Sequence, residues 1–198
     1  MYGNKLKRFS RYLRRTIAVL ISANLICSLF GCSSTLPGDP SDQDVAMALK
    51  DIWEIESHNE LIIELDNYVS AKCGYGENMG RMSPAERIFY LCQTVEKEVN
   101  NGGFDQYYLN YGNHANDTPD ALRAISAAKT AELVDRANSL FTDGIPHNMK
   151  ERQKMLERFR TEGIIKRLSE CDTEFYEYEE DLTELNYNYV MANRSRFS

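Results

Sequence analysis

The sequence predicts an all-α fold, a single compact domain of about seven or eight helices, and three observations carry that reading. Apolar residues recur at three- and four-residue spacing in segment after segment. No stretch alternates with period two, and serine, proline and glycine stand where helices would start and stop. A chain of 198 residues suffices for one domain with a sizeable core, not comfortably for two. With 42% hydrophobic and 27% charged residues, it has the composition of a folded domain rather than of a disordered chain.

Residues 1–31 read as a secretory signal peptide. Lys5, Lys7, Arg8, Arg11, Arg14 and Arg15 form a basic start, and Thr16 to Phe30 is an uncharged, mostly apolar run. Its 15 residues fall short of the roughly 20 that a membrane-spanning helix needs. The run ends in Leu29-Phe30-Gly31-Cys32, which resembles a lipoprotein signal-peptidase box, so Cys32 is expected to become the lipidated N-terminus. An uncleaved signal anchor is the alternative. Either way the basic flank stays inside, and the domain is expected in the cell envelope, facing the periplasm or the exterior. Residues 32–43, with Pro37, Gly38 and Pro40, read as a flexible tether, and residues 44–198 as the domain. Translation from Met47 would instead leave a cytosolic protein, whose first helix would lack its cap and Val45.

Within the domain, Ser41 and Asp44 cap a first helix carrying Val45, Leu49, Ile52 and Trp53. Leu61, Leu65, Tyr68 and Val69 mark a second, ended by Gly74 and Gly76. Ser83-Pro84-Ala85-Glu86 is a start signal, with serine as cap, proline at the first helical position and glutamate three residues after the cap. The helix it opens carries Ile88, Cys92, Val95 and Val99 on one face. At Asn100-Asn101-Gly102-Gly103, residues tolerant of left-handed backbone end it. Phe104, Tyr107, Tyr108 and Tyr111 then recur at helical spacing, so a further helix presents an aromatic face to the core. Asp105, Gln106 and Asn110 lie beside that face. Thr118-Pro119 opens an alanine-rich helix through Leu122, Ile125, Leu133 and Val134 to Phe141, whose small side chains predict close packing. After Asp143-Gly144 comes a basic helix with Met149, Leu156 and Phe159 buried. A last long helix is expected from about Thr173 to Asn193, with Phe175, Tyr178, Leu182, Leu185 and Tyr189 inward.

Asn100-Asn101-Gly102-Gly103-Phe104-Asp105-Gln106-Tyr107-Tyr108-Leu109-Asn110 resembles the signature of a bacterial family of all-helical domains named after a member that is an acidic DNA-mimic protein. The resemblance extends from about Met82 to Phe197. It implies an all-α fold, compatibility with a homodimer and binding to a protein partner; no catalytic residues come with it.

Charge points the same way. All six basic residues of the first 31 stand without an acidic one, leaving 17 basic against 30 acidic residues in the remainder. A domain that acidic repels nucleic acid and favours a basic protein partner. Glu170, Glu174, Glu177, Asp181 and Glu184 fall at helical spacing, and no lysine or arginine occurs between Arg167 and Arg194. On one helix they would form a continuous acidic stripe, read either as a solvated face or as a surface that takes a basic partner. Asp51, Glu54, Glu56, Glu60, Glu64 and Asp66 make a second acidic run.

Enzymatic chemistry finds no foothold. Cys73, Cys92 and Cys171 remain after the signal and Cys32; Cys73 and Cys92 are the nearest candidates for a bridge, while Cys92, on an apolar face, suits a buried free thiol. No Cys-x-x-Cys or His-x-x-x-His spacing occurs, so neither metal nor cofactor is expected, and Glu54 with His58 is at most a weak surface pair. The Asn101-Gly102-Gly103 corner could offer backbone amides to an anion where Phe104 opens a helix, against the plainer reading that its glycines are steric. A hydrolase would need Asp105, Gln106, Asn110 and His114 to converge.

Overall fold

The structure is a computed structural model that describes residues 49–198. Cys32, the signal segment and the tether lie outside the described residues. Described residues open on a helical turn over 49–52 and continue through α1 (His58–Lys72), α2 (Pro84–Tyr111), α3 (Thr118–Ala124), α4 (Ala128–Asn138), α5 (Met149–Thr161), α6 (Ile164–Tyr176) and α7 (Leu182–Ala192). Short 3-10 turns occur at Met79–Arg81, Gly112–His114 and Arg194–Arg196, and no strand occurs among the described residues. The fold is all helical, as expected, and no helix among the described residues is long and apolar enough to cross a membrane.

Helix α2 is the mast, packing against α1, α3, α5, α6 and α7. Its start follows from local chemistry: the Ser83 hydroxyl accepts from the Glu86 amide at 3.2 Å, and the Glu86 carboxylate accepts from the Ser83 amide at 2.7 Å. That reciprocal cap sits in a buried setting, and Lys72 donates to both oxygens of Glu86 at 2.9 Å, tying α1 to the mast. Two apolar clusters form along α2. Phe89 and Tyr90 of its first turns pack with Leu61, Leu65 and Val69 of α1, Val190 of α7 and Phe197. Further along, Val95, Val99, Phe104, Tyr107 and Tyr108 pack with α3 to α6.

Two expected helices are each divided in two. The alanine-rich segment breaks at Ser126, whose φ of 70° is left-handed, with the Ser126 amide on Arg123 O and the Ala127 amide on Leu122 O. The break lets α3 and α4 fold against one another and bury alanines from both, Ala121, Ala131 and Ala137 among them. The expected final helix breaks at Tyr178, φ 48°, between α6 and α7, and its first half begins at Ile164 rather than near Thr173. Gly163 precedes it at φ 76°.

On α5, Leu156 and Phe159 are buried as expected, but Met149 is 52% exposed because it occupies the first helical position after the Asn148 cap. Its expected place inside is taken by Arg152, only 3% exposed. That guanidinium donates to the carbonyls of Leu109 (3.1 Å), Pro146 (3.1 Å), Asn110 (3.3 Å) and His147, closing the C-terminal end of α2 against the start of α5. Leu109 and Pro146 are half-buried, and a carbonyl left without a donor away from water costs roughly 1–3 kcal/mol. Replacing Arg152 by leucine is therefore expected to lower the unfolding free energy by about 3 kcal/mol, measured by urea denaturation.

Candidate functional site

The Asn-Gly-Gly-Phe corner is a break inside α2. Gly102 has φ −158° and ψ 24°, and Gly103 has φ 72° and ψ −177°, a conformation essentially reserved for glycine. A break leaves carbonyls unpaired on one limb and amides unpaired on the other. Helix α6 satisfies both with residues one turn apart: the Asp172 carboxylate accepts from the Phe104 amide at 2.7 Å, and the Tyr176 hydroxyl donates to Val99 O at 2.9 Å. The anion that the corner can hold is thus the chain's own. Burial pushes the Asp172 carboxyl up, against the Phe104 amide and with neighbouring Asp105 adding to it.

The other motif residues bind the two limbs together. Gln106 Nε2 and Asn110 Nδ2 both donate to Glu98 Oε2, at 3.0 and 2.8 Å, so one buried carboxylate on the first limb reads a full turn of the second. Asp105 pairs with Arg160 of α5. Phe104, Tyr107 and Tyr108 are all buried, with the Tyr107 hydroxyl on Thr118 Oγ1 and that of Tyr108 on Asn138 Oδ1, both at 2.7 Å; Tyr111 is half-buried. Phe104 meets Phe175 edge-on at 6.0 Å. Asn101 is exposed. The four residues that a hydrolase would need are directed to different partners, since His114 Nε2 lies against Asn113 at 2.8 Å while Asp105 and the Gln106–Asn110 pair are engaged as above.

The acidic stripe is not one stripe. Its residues occupy α6 (Glu170, Glu174), the connecting segment (Glu177), the cap of α7 (Asp181) and the first turn of α7 (Glu184). The helix breaks because the Tyr178 side chain turns inward, its hydroxyl donating to Glu96 Oε1 at 3.0 Å and accepting from Asn100 Nδ2. Asp181 then restarts the helix, accepting from the Glu184 amide at 3.2 Å. Nor is the stripe without partners. Arg136 of α4 pairs with Glu174, and His58 Nδ1 lies 3.0 Å from Glu184 while its ring stacks on Tyr187. The second acidic run loses Asp66 to a buried pair with Lys97 at 3.1 Å.

What the fold does assemble is a cleft of about 650 Å³ between α4 and the α6–α7 connection. Its walls carry Glu132, Asp135, Glu174, Glu177, Glu179 and Glu180, and its floor includes Leu133, Phe175 and Leu182. Lys129 and Arg136 are its only two lysines or arginines, and both cross it: Lys129 pairs with Glu179 at 2.7 Å and Arg136 with Glu174. Glu180 is structural, accepting from the amides of Lys129 (3.1 Å) and Thr130 (2.9 Å) at the start of α4. Burial works against its charge, but those bonds and the Thr130 hydroxyl hold its carboxyl below the usual range. Glu132 and Glu177, by contrast, are exposed and enter no ion pair among the described residues. An adjoining smaller recess takes in Glu170 and Arg167. The carboxylates on α4 escaped the sequence reading, because nothing in Glu132 or Asp135 signals that α4 faces α6.

Cys73, Cys92 and Cys171 are free and buried. Burial holds the Cys92 thiol well above its ordinary pKa, as expected of a thiol on an apolar face. Among the described residues no cluster of histidine, cysteine and carboxylate could hold a metal.

The corner makes a graded mutational test. A Cβ at Gly103 would stand 2.7 Å from the Asp172 carboxylate in a backbone region that alanine avoids, whereas one at Gly102, where φ is negative, would press on Gln106 from its Cβ (2.9 Å) to its amide and disturb the bond to Glu98. Gly103→Ala, which combines the clash with a forbidden φ, is expected to cost about 3 kcal/mol of stability in urea denaturation, and Gly102→Ala about 2 kcal/mol.

No curated protein and no solved structure matches the chain. A family model described as DMP19-like protein matches residues 80–193, from just before the capped start of α2 to just after the end of α7. The match spans more than half of the chain and takes in both the broken mast and the acidic cleft. The protein therefore belongs to the DMP19-like family, that of a DNA mimic protein.

Proposed function

We propose that the protein is an exported, lipid-anchored domain that binds a basic protein partner through the cleft between α4 and the α6–α7 connection. The observation that carries the binding half is the cleft itself: six carboxylates rim an apolar floor, and the two cations present are already paired. A partner segment that alternates arginine or lysine with aliphatic residues would satisfy both parts, its cations on the rim and its apolar groups on Leu133 and Phe175. Membership in a DNA-mimic family supports the same choice of partner, and that family is not one of known enzymes.

The export half rests on the basic start, the short apolar run and the Gly31-Cys32 junction. An envelope partner, as for an inhibitor or immunity-type protein, is favoured over a cytosolic DNA-binding protein on that ground. Fractionation with mass analysis of the N-terminal peptide tests it: a diacylglyceryl group on Cys32 in the membrane fraction is expected, and an unmodified cytosolic form removes this half.

Binding is tested on the full chain with an arginine-rich peptide containing leucine. Affinity is expected to fall several-fold as salt rises from about 50 to 200 mM, because exposed charges are screened over a Debye length of about 10 Å at 0.1 M. Glu132→Gln with Glu177→Gln is expected to weaken binding about tenfold without loss of thermal stability: Glu177 ends α6 through its backbone amide alone, which glutamine keeps, and neither side chain enters an ion pair among the described residues. Indifference to both salt and the double substitution rejects the cleft.

A further inference from the structure

We propose that Glu96, Tyr178 and Asn100 form a proton-controlled latch that fixes segment 177–181, and with it one wall of the acidic cleft. Tyr178 sits in left-handed backbone at φ 48°, unusual for a tyrosine, and its side chain supplies the reason. The hydroxyl bridges Glu96 Oε1 and Asn100 Nδ2 on α2, and the ring meets Phe175 edge-on at 5.9 Å. The backbone on either side is held by the Glu177 amide on Glu174 O and the Tyr178 amide on Phe175 O, both at 3.1 Å. This segment carries Glu177, Glu179 and Glu180 to the cleft, so whatever holds Tyr178 holds that wall.

The groups facing Glu96 make its charge costly. Asp181 acts on it from the connecting segment, and Asp66 from α1, the latter paired with Lys97. Cys92 lies one turn back on α2 and is kept neutral by burial. Glu96 itself is half-buried and enters no ion pair among the described residues; its hydrogen bond is to Tyr178. Burial, opposed by the Tyr178 hydroxyl and reinforced by Asp181 and Asp66, raises its carboxyl from 4.5 to about 7.

The direction follows from linkage. A carboxyl whose pKa is higher in the closed segment than in an opened, hydrated one binds its proton more tightly when closed. Closure is thus favoured fully below pH 4.5, weakens as pH rises, and has lost this contribution above about pH 7. Above that point the carboxylate gains by meeting water, which requires Tyr178 to leave. The consequence for binding rests on the cleft reading above: the wall is firm in mildly acidic surroundings and loosens above neutrality.

Hydrogen exchange read by mass spectrometry on the full chain, with no partner added, tests the latch. After correction for intrinsic exchange, protection of the Glu177 and Tyr178 amides is expected to fall about tenfold between about pH 5.5 and pH 7.5. In Glu96→Gln that slope is expected to vanish. A flat wild-type profile, or the same slope in the variant, overturns the proposal. Should the variant not fold, infrared spectra of wild-type protein carrying ¹³C-glutamate decide the matter: a buried carboxylic-acid band that disappears near pH 7 supports the latch, and no such band above about pH 6 overturns it. Because no peptide is present, failure here leaves the cleft reading standing, and failure of the peptide titration leaves the latch standing.

Discussion

Everything in the described domain depends on how the break in α2 is healed. An interrupted helix in a core exposes backbone groups whose burial without partners would cost several kcal/mol in sum. Here Asp172 takes the amide of Phe104, and Tyr176, one turn later on the same helix, gives its hydroxyl to Val99 O. Two side chains of α6 therefore close both ends of the break, and α6 can sit nowhere else without opening them. Glu98, accepting from Gln106 and Asn110, fixes the angle between the limbs from the opposite direction in sequence. The aromatic face beyond the break is thereby aimed at Phe175 and at the small residues of α3 and α4.

The cleft is a consequence of that placement. With α6 pinned along the break, the chain after Tyr176 has to turn toward α7, which packs on α1 and on the first limb of α2. Tyr178 makes the turn by reaching back to the mast, and Glu180 then caps α4 across the gap. What remains between α4 and the α6–α7 connection is a cleft with apolar residues at its base and carboxylates that outnumber the lysines and arginines lining it. The same few residues that terminate and restart helices thus also furnish the anionic walls.

Much of this was legible in the residues and some was not, for identifiable reasons. Ser83-Pro84-Ala85-Glu86 predicts its helix start because the cap is local, closed within four residues. Gly102-Gly103 and the aromatic spacing after it predict a corner, since glycine tolerance and helical periodicity are also local properties. The breaks at Ser126 and Tyr178 were invisible: neither residue favours left-handed backbone, and Tyr178 is held there by Glu96 and Asn100, distant in sequence. Arg152 escaped for a similar reason, because a charged residue at a buried helical position is explained only by the four carbonyls that meet it. Glu98, Asp172 and Tyr176 carry no signal of their own, although they complete the motif that does.

The acidic character of the chain has to be divided before it can explain anything. Asp66, Glu86, Glu98 and Asp172 are committed inward, to a lysine, a lysine with a cap, two amide side chains and a backbone amide respectively. Asp181 and Glu180 are committed to helix starts. Neutralising any of these would disturb the fold first and the surface potential second, so a loss of binding on their substitution would say little about recognition. Glu132 and Glu177 carry no such duty, and Glu174 and Glu179 hold exposed cations whose pairing is worth little in water. On the proposed reading, a basic partner would displace Arg136 and Lys129 from those pairs at small cost, so the exposed pairs would add to the binding surface rather than subtract from it.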